Sequence, residues 1–427
     1  MRTRLAIPAL AVAVLTGCSA FGRGPRRIDA IDEPLELPVE VTFVEPIDFY
    51  PVERQGMMLV ENRGRLYLAG GITVEPGSST ERETTYHYDI WTSNDGMRWS
   101  RLVDTFYPDV GENGTNYRFY SFDGYLWAAE TANRRLNPDA PEALRLFRSV
   151  DGTEWQIVNE DYSSAGYVGP IYATDRGATE ISGLQPDSPF PSKRVRVASD
   201  GIDWPPTELQ FADPQDFFDR FFPVIAPNGD VLFAWDIFDN QIGRFDVDSL
   251  TWEALPIDPA THARLFLTEV NDRDDRFAAA FVGHANYLYI IAGRGVSAEN
   301  TWNRLQTRPN WLNDVWRSPD GIEWELVSRH LPFTTEEELE RGYRYNFDTF
   351  PARTNPLVVS WRGVLYLTGG GGYARWDGEW ISHSGQDAWV SRDGQTWYEL
   401  VRVRGSRRSA EPLIVEPSAC EFLETGC

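Results

Sequence analysis

Ser93-Asn94-Asp95-Gly96-Met97-Arg98-Trp99 is the clearest of six near-copies of one phrase, and its recurrence decides the architecture. The others are Ser149-Val150-Asp151-Gly152-Thr153-Glu154-Trp155, Ser199-Asp200-Gly201-Ile202-Asp203-Trp204, Ser318-Pro319-Asp320-Gly321-Ile322-Glu323-Trp324 and Ser391-Arg392-Asp393-Gly394-Gln395-Thr396-Trp397. The loosest copy runs from Phe245 to Trp252. A period of roughly 50–70 residues marks an array or a closed ring of like units. Asp-Gly suits a tight hairpin, because both residues tolerate the positive φ such turns need. A tryptophan at one fixed offset suits burial between neighbouring sheets.

Working upstream, each copy is preceded by an apolar segment that closes in small residues. The best are Arg65-Leu66-Tyr67-Leu68-Ala69-Gly70-Gly71, Tyr287-Leu288-Tyr289-Ile290-Ile291-Ala292-Gly293 and Val364-Leu365-Tyr366-Leu367-Thr368-Gly369-Gly370. Weaker copies are 125–129, 170–173 and 231–234. A turn such as Asp123-Gly124 and a further strand precede most of them; a loop and a third strand follow. The unit is a four-stranded antiparallel meander, and the expected fold is all-β, a single six-bladed β-propeller. Glycines at the end of the second strand allow close packing near a crowded axis. A seventh blade would have to come from 37–50 or 405–417; residues 41–44 and 413–415 are alternatively edge or ring-closing strands. The expected boundaries are 46–405 for the propeller and 406–427 for a C-terminal tail.

The chain has 427 residues, with 16 Trp, 18 Tyr, 23 Phe, 35 Gly and 28 Pro, a composition that favours strands and turns. Residues 1–18 read as a targeting segment: Arg2 and Arg4, then an apolar run over 5–15 too short to span a bilayer. Residues 19–45 are a tether with a candidate closing strand. Cys420 and Cys427 read as a small disulfide loop in an exported protein. The formal net charge of −24 argues against nucleic acid and against an anionic membrane surface as partners. Lys193 is the only lysine, so the cations are almost all arginine.

Three resemblances follow from these motifs. Leu15-Thr16-Gly17-Cys18 resembles a bacterial lipoprotein cleavage box; the resemblance implies acylation of Cys18 and, with Ser19 after it, an outer-membrane lipoprotein attached by its lipid. Glycine pairs after an apolar strand, with Asn313-Asp314-Val315-Trp316 and then Trp324, resemble kelch repeats, over about residues 50–402. The Ser-x-Asp-Gly-x-x-Trp turn resembles a shortened Asp-box of sialidase-like propellers.

In such a meander the 1–2 and 3–4 turns share one face, here short and uniform. The 2–3 loops (72–87, 130–143, 294–312, 371–386) and the 4–1 connections (104–115, 256–275, 328–352) share the other and are long. Binding residues collect on loops of this kind. These loops carry Arg134, Arg135, Trp302, Arg304, Arg308, Trp311, Tyr373, Arg375, Trp376, Trp380 and His383, suited to sugar rings or acidic groups, or else to packing over the blades. Thr334 to Gly342 reads as a short capped helix.

Arg54, Arg220, Arg276 and Arg353 each precede the leucine of the second strand (Leu66, Leu232, Leu288, Leu365) by the same offset. The matched positions in repeats two and three are Gly114 and Asn159. Two readings stay open: the arginines bind loop carbonyls, or they contact a ligand at the channel mouth, where their forks would suit carboxylates or sulfates. The expected ligand is an acidic glycan or protein, with Arg54, Arg220, Arg276, Arg353, Trp302, Trp311 and Trp376 as the candidate binding set.

Catalytic signals are few. No cysteine lies between 19 and 419, which excludes the Cys–Tyr copper site of kelch-type galactose oxidases. His87, His262, His284, His330 and His383 are not paired at metal-ligand spacing. Asn271-Asp272-Arg273-Asp274-Asp275 lacks the spacing of a calcium loop. No cofactor or metal is expected, and a binding or scaffold module is preferred. The alternative is a carbohydrate-active enzyme on acidic sugars, similar to a sialic-acid mutarotase or, less well, a sialidase. Glu53 beside Arg54, or Asp275 beside Arg276, would serve it.

Overall fold

A computed structural model describes residues 33–37, 42–44, 54, 56–74, 84–107, 115–132, 144–162, 171–174, 177–182, 194–204, 224–228, 231–236, 240–246, 251–266, 276, 278–295, 310–328, 350, 353–376, 379–384 and 387–403. A short strand, β1 (Thr42–Val44), comes first. Blade 1 begins with β2 (Met58–Asn62) and β3 (Arg65–Ala69); the hairpin β4 (Ile72–Val74)–β5 (Thr84–Tyr86) intervenes before β6 (Ile90–Ser93) and β7 (Ser100–Val103). Blade 2 is β8 (Thr115–Phe122), β9 (Tyr125–Ala132), β10 (Leu146–Ser149) and β11 (Gln156–Asn159). Blade 3 has three described strands, β12 (Ile171–Thr174), β13 (Gly177–Ser182) and β14 (Arg194–Ala198). Blade 4 is β15 (Val224–Asn228), β16 (Val231–Asp236), β17 (Gln241–Asp246) and β18 (Thr251–Ala254), followed by helix α1 (Pro259–Phe266). Blade 5 is β19 (Ala280–His284), β20 (Tyr287–Gly295), β21 (Asn310–Ser318) and β22 (Glu325–Ser328). Blade 6 is β23 (Leu357–Trp361), β24 (Val364–Thr368), the hairpin β25 (Gly371–Trp376)–β26 (Glu379–Ser384), β27 (Asp387–Ser391) and β28 (Tyr398–Val403).

The first strands are the innermost: β2, β8, β12, β15, β19 and β23 neighbour one another in turn, and β23 returns to β2. Six blades therefore close the ring. Blade 6 gains a fifth, outermost strand in β1, which pairs parallel with β28 from Thr42–Val401 to Val44–Val403.

The repeated phrase builds the same turn each time. In blade 6 the Gly394 amide donates to Ser391 Oγ, and the Gln395 and Thr396 amides donate to Asp393 Oδ1. The Trp397 indole then donates to the Gly394 carbonyl at 2.8 Å. Blades 2, 3 and 5 repeat that indole bond through Trp155, Trp204 and Trp324. In blade 1 the Gly96 carbonyl instead accepts from the Tyr366 hydroxyl of blade 6, a bond across the closing seam.

The tryptophans fill the space between blades. Trp99 packs with Trp361 and Tyr366 across the 6–1 seam, Trp204 with Trp127 across 2–3, Trp324 with Phe233 across 4–5 and Trp397 with Tyr289 across 5–6. Glycine in the turn has a second reason beyond its positive φ. A Cβ on Gly394 would sit 2.8 Å from Tyr289 of the preceding blade, and one on Gly201 would sit 2.8 Å from Trp127.

Four expectations need correction. Residues 170–173 do not form a second strand: Ile171–Thr174 is the innermost strand of blade 3, and Gly177–Ser182 follows it. The Ile-Tyr-Ala run resembles a second strand, but no Asp-Gly or Asn-Gly turn precedes it. Consequently Asn159 is not at a channel mouth; it lies in β11, on the outer edge of blade 2. The 2–3 connections of blades 1 and 6 contain the hairpins β4–β5 and β25–β26, formed by β-branched and aromatic residues read above as loop. The 4–1 connection after blade 4 contains α1: Asp258 Oδ2 caps the Thr261 amide, Pro259 opens the helix, and Leu265 and Phe266 are fully buried. The candidate helix at 334–342, the seventh-blade segment 405–417, the targeting segment and all three cysteines lie outside the described residues.

Candidate functional site on the long-loop face

Among the described residues the long-loop face carries added pairing above blades 1, 5 and 6, and the first two strands of blade 2 also run on to the Thr115–Ala132 pair. Above blade 1 stands β4–β5, and above blade 6 stands β25–β26. In blade 5 the second and third strands themselves run on past a bulge, pairing Gly293 with Leu312, Arg294 with Trp311 and Gly295 with Asn310. Blades 5, 6 and 1 are consecutive in the ring, so these three extensions rise side by side.

One arginine clamp recurs beneath each extension. Arg353, from the 4–1 connection, places Nη1 and Nη2 on the two oxygens of Asp387, both at 2.8 Å. Its Nη1 also donates to the Gly369 carbonyl at the end of β24. The Trp389 indole donates to Asp387 Oδ2 at 2.9 Å. Arg276 repeats this with Asp314, the Ala292 carbonyl and Trp316. Arg54 repeats it with Asp89, the Gly70 carbonyl and Trp91. A planar fork meeting a carboxylate in this way ties the incoming connection to strands two and three of its blade.

Blade 2 keeps the ion pair with its charges exchanged. Arg145 stands where the other blades have the aspartate, four residues before the turn serine. Glu130, buried in β9, stands where they have Gly70, Ala292 or Gly369. Its Oε1 accepts from Arg145 Nη2 at 2.7 Å and from the Tyr117 hydroxyl at 3.0 Å; its Oε2 accepts from the Arg145 amide and Nε. In the neighbouring blade the fully buried Glu180 accepts from the Tyr162 hydroxyl.

These partners decide much of the candidate set. Arg54, Arg276 and Arg353 each bind a loop carbonyl, together with an aspartate that the offset did not reveal. Arg276 and Arg353 are 0% exposed and have no surface to offer a ligand, so their expected role as direct ligand contacts is corrected. Arg276 even commits Nε, to the Leu265 carbonyl. Arg54 differs: its side chain is 11% exposed, and Nε has no such bond among the described residues. Arg220 and Trp302 lie outside the described residues. Trp311 is placed in β21 and Trp376 in β25 by their backbones alone.

Among the described residues, blade 1 has the exposed side chains of the candidate site. Tyr86, at the end of β5, is 55% exposed and is the exposed large hydrophobic side chain among the described residues. His87 follows it, and its amide donates to the Gly71 carbonyl. Its imidazole is held below the ordinary value by burial and by the Arg54 charge, against the pull of Asp89. In blade 6 the register of β25–β26 puts Tyr373, Arg375, Trp380 and Ser382 on one face of the hairpin.

No cluster of three or more His, Cys, Asp or Glu side chains suited to a metal occurs among the described residues. No family model matches the chain, and no curated protein matches it in sequence.

Proposed function

We propose that this chain is a membrane-anchored, extracytoplasmic binding module that takes an acidic glycan or protein ligand on its long-loop face. The observation that carries the reading is the added pairing on that face above blades 5, 6 and 1 among the described residues, with exposed Tyr86 and partly exposed Arg54 in blade 1. The exposed Tyr86 ring supplies stacking for a sugar or side chain, and the open edge of Arg54 supplies a charged donor for an anion. The propeller supplies rigidity, so the extensions are presented without folding on contact. The anchor rests on the lipobox-like Leu15-Thr16-Gly17-Cys18, and the outer-membrane address on Ser19. Affinity of the turns to kelch and Asp-box repeats rests on the motifs alone.

The mutarotase-like alternative has no observation in its favour. Glu53 and Asp275 lie outside the described residues, and the Arg276 fork is filled by Asp314. The test of the binding reading is a glycan and acidic-peptide array probed with the chain from residue 19 onward. The expected result is binding to carboxylated or sulfated ligands that falls at least tenfold in Tyr86→Ala and in Arg54→Gln. Unchanged binding in both variants would sink the assignment.

A further inference from the structure

We infer that the propeller stands on its short-turn face, with the long-loop face turned away from the membrane. This rests on the anchor at Cys18 proposed above. The chain enters the fold by a defined route. The Leu35 amide donates to the Arg362 carbonyl at 3.1 Å, and Arg362 Nε donates to the Glu33 carbonyl at 2.6 Å. Arg392 Nη2 donates to the Leu35 carbonyl at 3.2 Å. Arg362 belongs to the 1–2 turn of blade 6 and Arg392 to its 3–4 turn, so both mark the short-turn face. Leu35 and Leu37 pack on the apolar cluster that holds Trp361 and Val364. Pro34 covers the same turn, against Gly363.

From there the chain climbs. β28 runs from the 3–4 turn towards the long-loop face, and β1 is parallel to it. Residues 33–37 thus lie at the short-turn face of blade 6, and β1 runs up its outer edge in the direction of β28. Residues 19–32 must span from the lipid to Glu33, at most about 50 Å when fully extended. A blade strand of five to nine residues covers roughly 17–30 Å of height. Turning the long-loop face towards the lipid would consume that height before the tether reached the bilayer, so the docked segment biases the ring the other way. A ligand in the surrounding compartment then meets the long-loop face directly.

The test uses the full-length acylated protein, with Cys420→Ser and Cys427→Ser, in phosphatidylcholine vesicles containing a nitroxide-headgroup lipid. A fluorophore is placed at Glu323→Cys in the blade 5 short turn, or at Thr85→Cys on β5; both positions are exposed. The expected result is at least twofold stronger quenching at 323 than at 85, abolished by Leu35→Asp combined with Arg362→Ala. Equal quenching, or stronger quenching at 85, in protein that floats with the vesicles overturns the orientation and leaves the anchor standing. A difference that survives undocking overturns the role of the docked segment. Flotation of Cys18→Ser like that of the native chain removes the anchor and the orientation with it.

Discussion

At the residue scale, each letter of the repeated phrase has a separate physical job. Serine receives the glycine amide, aspartate receives the next two amides, glycine lets the turn touch the preceding blade, and tryptophan fills the gap. Trp397→Ala should destabilise the ring by about 3–5 kcal/mol, because the lost ring leaves a cavity against Phe350 and Tyr289; denaturant unfolding measures it. The turn aspartates add a pH dependence. Asp320 is partly desolvated, which alone would raise its carboxyl, but the amides of Glu323 and Ile322 and the Ser318 hydroxyl outweigh this and hold it low. A depressed folded value means its stabilisation is present above the ordinary carboxyl value of 3.8 and is lost as pH falls below it. Asp320→Asn should therefore flatten the acid limb of the stability curve below about pH 4. His284 is the second titrating residue. It lies buried between blades 5 and 6, against Ser360 Oγ and the Arg392 carbonyl, and burial holds its imidazole low despite that carbonyl. Its contribution is present above the ordinary value of 6.5 and declines as pH falls below it. Melting of His284→Gln should show less loss between pH 7 and the mildly acidic range than melting of the native chain.

At the element scale, the arginine clamp divides the blades into kinds. Blades 1, 5 and 6 use Arg from the connection and Asp from the third strand; blade 2 uses Glu from the second strand and Arg from the third. Removing one partner strands a buried charge, so Arg353→Met should cost about 3–5 kcal/mol, and adding Asp387→Leu should recover part of it. A double-mutant cycle by urea unfolding gives the coupling; additive losses would contradict the clamp. The clamp was half legible. The arginine offset stands in the sequence, and so does the aspartate four residues before the turn serine. Nothing in either spacing says that the two meet, because the pair joins segments more than thirty residues apart. The hairpins over blades 1 and 6 escaped for another reason: short runs such as Ile72–Val74 carry too few residues to show a period.

At the scale of the whole molecule, the ring is closed by side chains and by the N-terminal segment together. The Trp361 indole of blade 6 donates to the Gly64 carbonyl of blade 1 at 2.7 Å, and the Tyr366 hydroxyl donates to Gly96. Leu35 and Leu37 pack against the same seam, and β1 adds an outer strand to blade 6. A chain beginning at residue 46 should still form six blades but melt several degrees lower, since both Leu35 and Leu37 leave an apolar cluster they partly cover; an unchanged melting temperature would show the segment to be passive. Six repeats, a meander unit and two unequal faces were determined by the sequence itself, because each depends on local chemistry: turn residues that need positive φ, alternating strands, and one large ring per unit. Tertiary structure alone decided which arginines are sealed and which keeps an edge, how blade 3 is registered, and where the N-terminal segment docks. Those outcomes depend on pairings between distant segments, and a buried ion pair has the same spelling in the chain as an open binding site.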